Sequence, residues 1–224
     1  MEYLNEDGIL QSEIAEDLRQ TNPSKIKKDT CIFIIAGRLI YRKGIRLLFD
    51  AIERIPESLN YRCMIVGDGP DAADLKKYCE GNKKIRDHVT FTGSMTYSEM
   101  EEKYSNADAL IMPSIRETTG SVVLEAMSRG IPVITIKAFG GANIVDEQCG
   151  WLYTGIRKED YIENLKNAMI SCIKNPEMRM EKAQNSYKKA ELYTWQEKEK
   201  RYTEIYKQLV IANKVKMNTP VKKD

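Results

Sequence analysis

The sequence predicts an α/β fold in which helices cover both faces of a single parallel sheet. Short apolar runs recur at residues 31–36, 63–66, 89–92, 109–112 and 133–136, and amphipathic stretches at 45–55, 71–78, 97–107 and 121–129 lie between them. Strands that alternate with helices pair in parallel, and right-handed crossovers then put helices on both sides of the sheet. Glycine-rich or charged segments follow the runs, so these loops converge on the edge where open α/β sheets bind ligands.

Each element has a local reason. Residues 1–30 are polar with one weak helical stripe, Leu10, Ile14 and Leu18, and read as a linker-like entry segment. The runs at 31–36 and 63–66 contain Cys31 and Cys63, which read as buried free thiols. Thr96-Tyr97-Ser98-Glu99 forms a capping box ahead of the third amphipathic stretch. After residue 136 the pattern changes. Gly140-Gly141 breaks the chain, and Gly150-Trp151-Leu152-Tyr153 forms a short sixth strand. From Glu159 onward the chain reads as helix, with Tyr161, Ile162, Leu165, Ala168, Met169 and Cys172 on one face. Pro176 opens the next helix. A last helix carries Trp195, Tyr202, Ile205, Tyr206, Leu209 and Val210 on a stripe that needs a covering surface.

Composition narrows the function. The net charge of +2 gives no electrostatic case for nucleic acid as the main partner. No apolar stretch approaches the roughly 20 residues of a membrane span. The acidic first residues lack the apolar core of a secretion signal. Five scattered cysteines without a CxxC pair suggest neither zinc nor a redox motif, and fit a reducing, cytoplasmic setting. The basic tail with Lys214, Lys216, Lys222 and Lys223 reads as solvated, with the inner face of an acidic membrane as the alternative contact.

The candidate site lies at the strand ends. The first strand runs into Gly37-Arg38-Leu39-Ile40-Tyr41-Arg42-Lys43-Gly44. A guanidinium and an ammonium in one glycine loop suit a diphosphate; ordinary surface charge is the rival reading. The fourth strand runs into Glu117, then Thr118, Thr119, Gly120 and Ser121, with Glu125 eight positions after Glu117. Gly120-Ser121 is expected to open a helix whose free amides face an anion. With Arg38 and Lys43 that makes a diphosphate site needing no metal ion. Glu125, a turn into the helix, is placed to accept hydrogen bonds from a ribose diol, and Glu117 to hold hydroxyls of a second sugar. Helix-start acids favoured by the dipole would explain Glu125 equally well. Gly67-Asp68-Gly69-Pro70-Asp71-Ala72 matches a dinucleotide fingerprint, but the acid that fingerprint needs about 20 residues on is replaced by Gly93. A tight turn in the same site is the preferred account. His88, the one histidine, precedes a strand at the opposite end, which removes Ser-His and Cys-His mechanisms. Asp71 and Asp74 read as exposed acids.

Together these residues resemble the C-terminal, nucleotide-sugar-binding domain of retaining GT-B glycosyltransferases, in particular glycosyltransferase family 4 (glycosyl transferases group 1). The matching pieces are GRLIYRKG at 37–44, VGDGP at 66–70, VTFTG at 89–93, ADALIMPS at 107–114, and the Glu117-to-Glu125 motif running into EAMSRGIPVI at 125–134. Gly140-Gly141, Gly150 and the stretch from Tyr193-Thr194-Trp195 to Tyr206 fall where the family has a GG loop, a Gly before a short strand and a closing helix.

The resemblance implies a Rossmann-like, single GT-B half-domain plus C-terminal helices. Residues 31–192 would be the donor-binding domain, 193–213 a helix that docks on an acceptor domain, and 214–224 a basic tail. Arg38, Lys43 and Glu117 would be catalytic. Gly37, Gly67, Gly69, Gly93, Ser94, Met95, Thr118, Thr119, Gly120, Ser121 and Glu125 would join them in binding the donor, a UDP- or GDP-sugar, with no metal and no further cofactor. The reaction would transfer a hexose to a hydroxyl acceptor with retained configuration, in polysaccharide or glycoconjugate synthesis. Thr118-Thr119 departs from the family's small-then-aromatic pair, which bears on the sugar. Such enzymes place an acceptor-binding domain before this one, whereas this chain begins at about the interdomain linker, so a separate acceptor-binding domain or subunit is the expected partner. The alternatives are a non-catalytic nucleotide-sugar-binding subunit or sensor, and a dinucleotide-dependent oxidoreductase.

Overall fold

The structure, a computed structural model, describes residues 30–116 and 120–217. Six strands form one sheet: β1 (Cys31–Ala36), β2 (Tyr61–Val66), β3 (Val89–Gly93), β4 (Ala109–Met112), β5 (Val133–Ile136) and β6 (Gly150–Tyr153). Their order is β3-β2-β1-β4-β5-β6 and every pairing is parallel. The chain winds outward from β1 to β3, returns to β4, and winds outward the other way. The strand order therefore reverses between β1 and β4, the position where such sheets open a ligand crevice.

The described residues form nine α-helices: α1 (Ile45–Ile52), α2 (Ala72–Gly81), α3 (Lys83–His88), α4 (Tyr97–Asn106), α5 (Ser121–Met127), α6 (Phe139–Ala142), α7 (Lys158–Lys174), α8 (Pro176–Ala190) and α9 (Trp195–Met217). Strand residues alternate between two cores. Phe33, Ile35 and Ile111 enter one with Leu48 of α1 and Leu165 of α7; Ile34, Leu110 and Val133 enter the other with Val123 of α5 and Tyr104 of α4. Both faces are thus buried, which is why the central strands are apolar throughout. All five cysteines are free and buried.

The elements follow the expected pattern with local differences. The capping box at Thr96 forms: its amide donates to Glu99 at 2.7 Å and its hydroxyl accepts from the Glu99 amide at 3.4 Å. β2 starts at Tyr61, ahead of Cys63, because Tyr61 is fully buried. The helix expected over 45–55 ends at Ile52, although Ile55 remains buried in the turn beyond. The second stretch, 71–78, forms α2, and a further short helix, α3, follows it. Asn82 is extended and its side chain accepts from the Ile85 amide at 3.2 Å, ending α2 and capping α3. Where Gly140-Gly141 reads as a break, a single helical turn, α6, forms.

α9 continues to Met217, past residue 213, so the expected boundary between closing helix and basic tail falls inside a helix. Its side chains Trp195, Tyr202, Ile205, Tyr206, Leu209 and Val210 are all exposed. Among the described residues no helix is long and apolar enough to cross a membrane. The stripe at Leu10, Ile14 and Leu18, residues 1–29 of the entry segment, and the tail from 218 lie outside the described residues.

Candidate functional site

β1 delivers the chain into a loop held from below. The Gly37 amide donates to the Val66 carbonyl at 3.0 Å, the Leu39 amide to the Asp68 carbonyl at 2.8 Å, and the Leu39 carbonyl accepts from the Asp71 amide at 3.1 Å. Leu39 is the buried anchor of this loop, and its neighbour Arg38 is exposed. A 3-10 turn, Tyr41–Lys43, carries Lys43 back toward the strand. A side chain on Gly37 would lie 3.5 Å from Lys43 Cε and 3.6 Å from its Nζ, so the ammonium lies over Gly37. Sequence spacing alone leaves this reunion open; the 3-10 turn produces it.

The loop after β4 is locked to that turn. The Ile115 amide donates to the Arg42 carbonyl at 2.9 Å. Gly44 has φ of 70°, and a β-carbon there would collide with the Pro113 carbonyl oxygen, so only glycine lets the two loops touch. Between them a small cleft is lined by Gly37, Arg38, Lys43, Pro113, Ser114 and Val122. This is the sheet's switch point. Ser114 is 3% exposed, and among the described residues its hydroxyl has no hydrogen-bond partner.

Val122 belongs to α5, so the first turn of that helix borders the cleft. Gly120 is its N-cap, left-handed at φ of 57°, and among the described residues no side chain caps the helix. Its first amides are therefore available to a ligand, although seven residues give only a small macrodipole. Ser121 is exposed, as is Glu125 one turn farther on. The Glu125 carboxylate accepts from the Tyr104 hydroxyl at 3.3 Å. Tyr104 is buried, and burial together with the nearby Glu125 charge pushes its phenol well above the usual range, so it stays a donor. Arg129 donates to the Glu125 carbonyl oxygen at 2.6 Å, pairs with Glu101, and places its guanidinium 5.1 Å from the Tyr104 ring. Burial of Arg129 opposes its charge, but the hydrogen bond and charge of Glu101, together with Tyr97 and Tyr104, outweigh it and its pKa rises.

The other expected site residues are placed differently. A β-carbon on Gly67 would strike the Gly37 carbonyl oxygen, and one on Gly69 would strike Leu39 backbone. The G-x-G spacing thus serves backbone packing that supports the Arg38 loop. Gly93 ends β3 with φ of 75°, and its carbonyl accepts from the Gly67 amide at 2.7 Å. Ser94 is exposed and Met95 half-buried against the second core. Gly93 ends the edge strand and Ser94 and Met95 follow it, and β2 separates that strand from the cleft. Glu117, Thr118 and Thr119 lie outside the described residues. His88 stacks on Tyr61 with ring centroids 4.2 Å apart, at the amino end of β3. Among the described residues no cluster of His, Cys, Asp and Glu is placed to hold a metal.

Reading the sequence for this site left out Ser114, Tyr104 and Arg129. Ser114 had a usable signal, a polar residue directly after an apolar strand at its carboxyl end. Tyr104 and Arg129 had none, because their partnership joins α4 to the end of α5 across 25 residues.

The fold and the cleft at its switch point define one half of a two-domain GT-B architecture. Residues 17–189 match the family model for glycosyl transferases group 1, and the chain belongs to that family. It is 34% identical over 142 residues to the sulfoquinovosyl transferase SQD2 of Arabidopsis thaliana, covering 62% of this chain and 26% of that protein. Sucrose-phosphate synthase from Thermosynechococcus elongatus superposes with a TM-score of 0.67 at 26% identity, covering 88% of this chain and 49% of that one. HepE from Anabaena, solved in complex with UDP-glucose, superposes with a TM-score of 0.61 at 25% identity, covering 78% of this chain and 50% of that one. The chain spans between a quarter and a half of the length of these proteins.

Proposed function

We propose that the chain is the donor-binding half of a retaining hexosyltransferase, holding a nucleotide diphosphate sugar while its hexose passes to a hydroxyl acceptor in polysaccharide or glycoconjugate synthesis. The observation that carries this reading is that Arg38 and Lys43 line one cleft at the β1–β4 switch point, with Lys43 over Gly37, beside the first turn of α5. Two cations and backbone amides stabilise the charge that develops on a departing diphosphate. They do so without a metal ion. Glu125, steadied by Tyr104, accepts from the ribose diol, and Glu117 contacts the transferring sugar. Gly93, Ser94 and Met95 border the base. The UDP-glucose complex of HepE supports a uridine nucleotide as the first donor to test. The exposed stripe on α9, together with the chain's share of its relatives' length, supports a separate acceptor-binding domain or subunit as partner.

Titration calorimetry with UDP and GDP tests the reading. A charge-assisted hydrogen bond contributes about 1.5–3 kcal/mol, so Arg38→Ala and Lys43→Ala should each weaken binding roughly tenfold or more. Absence of binding to either nucleoside diphosphate would refute it.

A further inference from the structure

We propose that Arg129 is a positioning residue for nucleotide recognition: anchored on α4, it fixes the turn of α5 that carries Glu125 and so aims that carboxylate at the ribose diol. The inference rests on the reading of Glu125 as the acceptor for the ribose, and adds the device that orients it. Glu125 lies three residues after Val122, which lines the cleft, so the two share a helix face. It is exposed and open to a ligand. An exposed glutamate left to itself samples several rotamers, and ordering it on binding costs affinity.

Arg129 reaches Glu125 by two routes. Its Nη1 donates to the Glu125 carbonyl oxygen at 2.6 Å, which holds the backbone. Its guanidinium lies 5.1 Å from the centre of the Tyr104 ring, and the Tyr104 hydroxyl donates to Glu125 Oε2 at 3.3 Å, which holds the carboxylate. Arg129 is itself held from α4. Nε donates to Glu101 Oε2 at 2.8 Å, Nη2 pairs with Glu101 Oε1, and Nη2 donates to the Tyr97 hydroxyl at 2.8 Å. With Nη1 also on the Ser128 hydroxyl at 3.2 Å, the five N–H groups of the guanidinium meet five acceptors. Apolar packing already joins the helices, since Tyr104, Val123 and Met127 share the second core. What the guanidinium adds is direction. A carboxylate tied to one phenol keeps lone pairs for a diol.

Calorimetry on the full chain, with UDP and with its analogue lacking both ribose hydroxyls, separates aim from fold. The wild type should prefer UDP by about tenfold, as a hydrogen bond to a charged group allows. Arg129→Gln should bind UDP several-fold more weakly and the analogue unchanged, so that the preference shrinks toward unity. Equal weakening of both ligands, or a preference kept at the wild-type ratio, would show a purely structural clamp and overturn the proposal. Tyr97→Phe removes a single bond from Arg129 and settles the matter should Arg129→Gln not fold. Its preference for UDP should fall about two- to threefold, and an unchanged ratio would overturn the proposal. A wild type that binds both ligands equally would remove the ribose role of Glu125, and this proposal with it, while leaving the diphosphate site standing. Binding of neither ligand would remove the donor reading as well.

Discussion

Gly44 shows how a single residue can hold the site together. Its left-handed φ of 70° and its contact with the Pro113 carbonyl allow the β1 and β4 loops to meet. Gly44→Ala adds left-handed strain of about 1–2 kcal/mol to a collision with rigid backbone. Denaturant melts should show a total loss of about 2–4 kcal/mol, with nucleotide binding weakened as the cleft opens. Tyr104 acts more gently. Tyr104→Phe removes a hydrogen bond to Glu125 worth about 0.5–1.5 kcal/mol. Affinity for a nucleoside diphosphate should fall a few-fold, without loss of fold by circular dichroism; an unchanged affinity would detach Glu125 from the ribose. The cations and glycines of this edge were legible because they directly follow apolar runs, where a strand must end and a loop begin. Tyr104 was not, since a contact between helices exists only after folding.

At the scale of elements, α8 is tied to the sheet by a buried ion pair. Arg179 Nε lies 3.5 Å from Asp108 Oδ1, Asp108 Oδ2 accepts from the Ile32 amide at 2.8 Å, and Arg179 also donates to the Cys172 carbonyl at 2.7 Å. Removing one partner leaves the other charge buried, so Asp108→Ala should cost about 3–5 kcal/mol in urea melts. A second tie joins Lys189 of α8 to Asp146. Burial opposes the Asp146 charge, but the Lys189 ammonium, Cys149 and the Gln148 amide hold its pKa at about 2. An unfolded Asp titrates near 3.9. The stabilisation is therefore present above about pH 4 and is lost as the pH falls through about 2. Both side chains are partly exposed, so it amounts to about 0.5–1 kcal/mol. The gap in melting temperature between wild type and Asp146→Asn should close from pH 5 to pH 2. The strands and the Thr96 capping box could be read from residue order. The break at Asn82 could not: α3 buries only Ile85 and has no period to detect.

For the whole molecule, alternation of strands and helices specified the parallel sheet but not its order. The reversal between β1 and β4 depends on which strands pair, a property of the packed cores and not of any local run. α9 extends from this body with its apolar side chains in solvent, and exposed surface of that kind marks an interaction face. Leu209→Glu should leave stability within about 0.5 kcal/mol of wild type and leave nucleotide affinity unchanged. A substantially lower melting temperature would show instead that the face packs on the domain.

The most direct test of the account is a crystal structure of the chain grown with UDP. We expect the two phosphates to lie over Gly37, within hydrogen-bond distance of Arg38 and Lys43, at the carboxyl ends of β1 and β4. A nucleotide seated elsewhere on the molecule, or contacting neither cation, would contradict it.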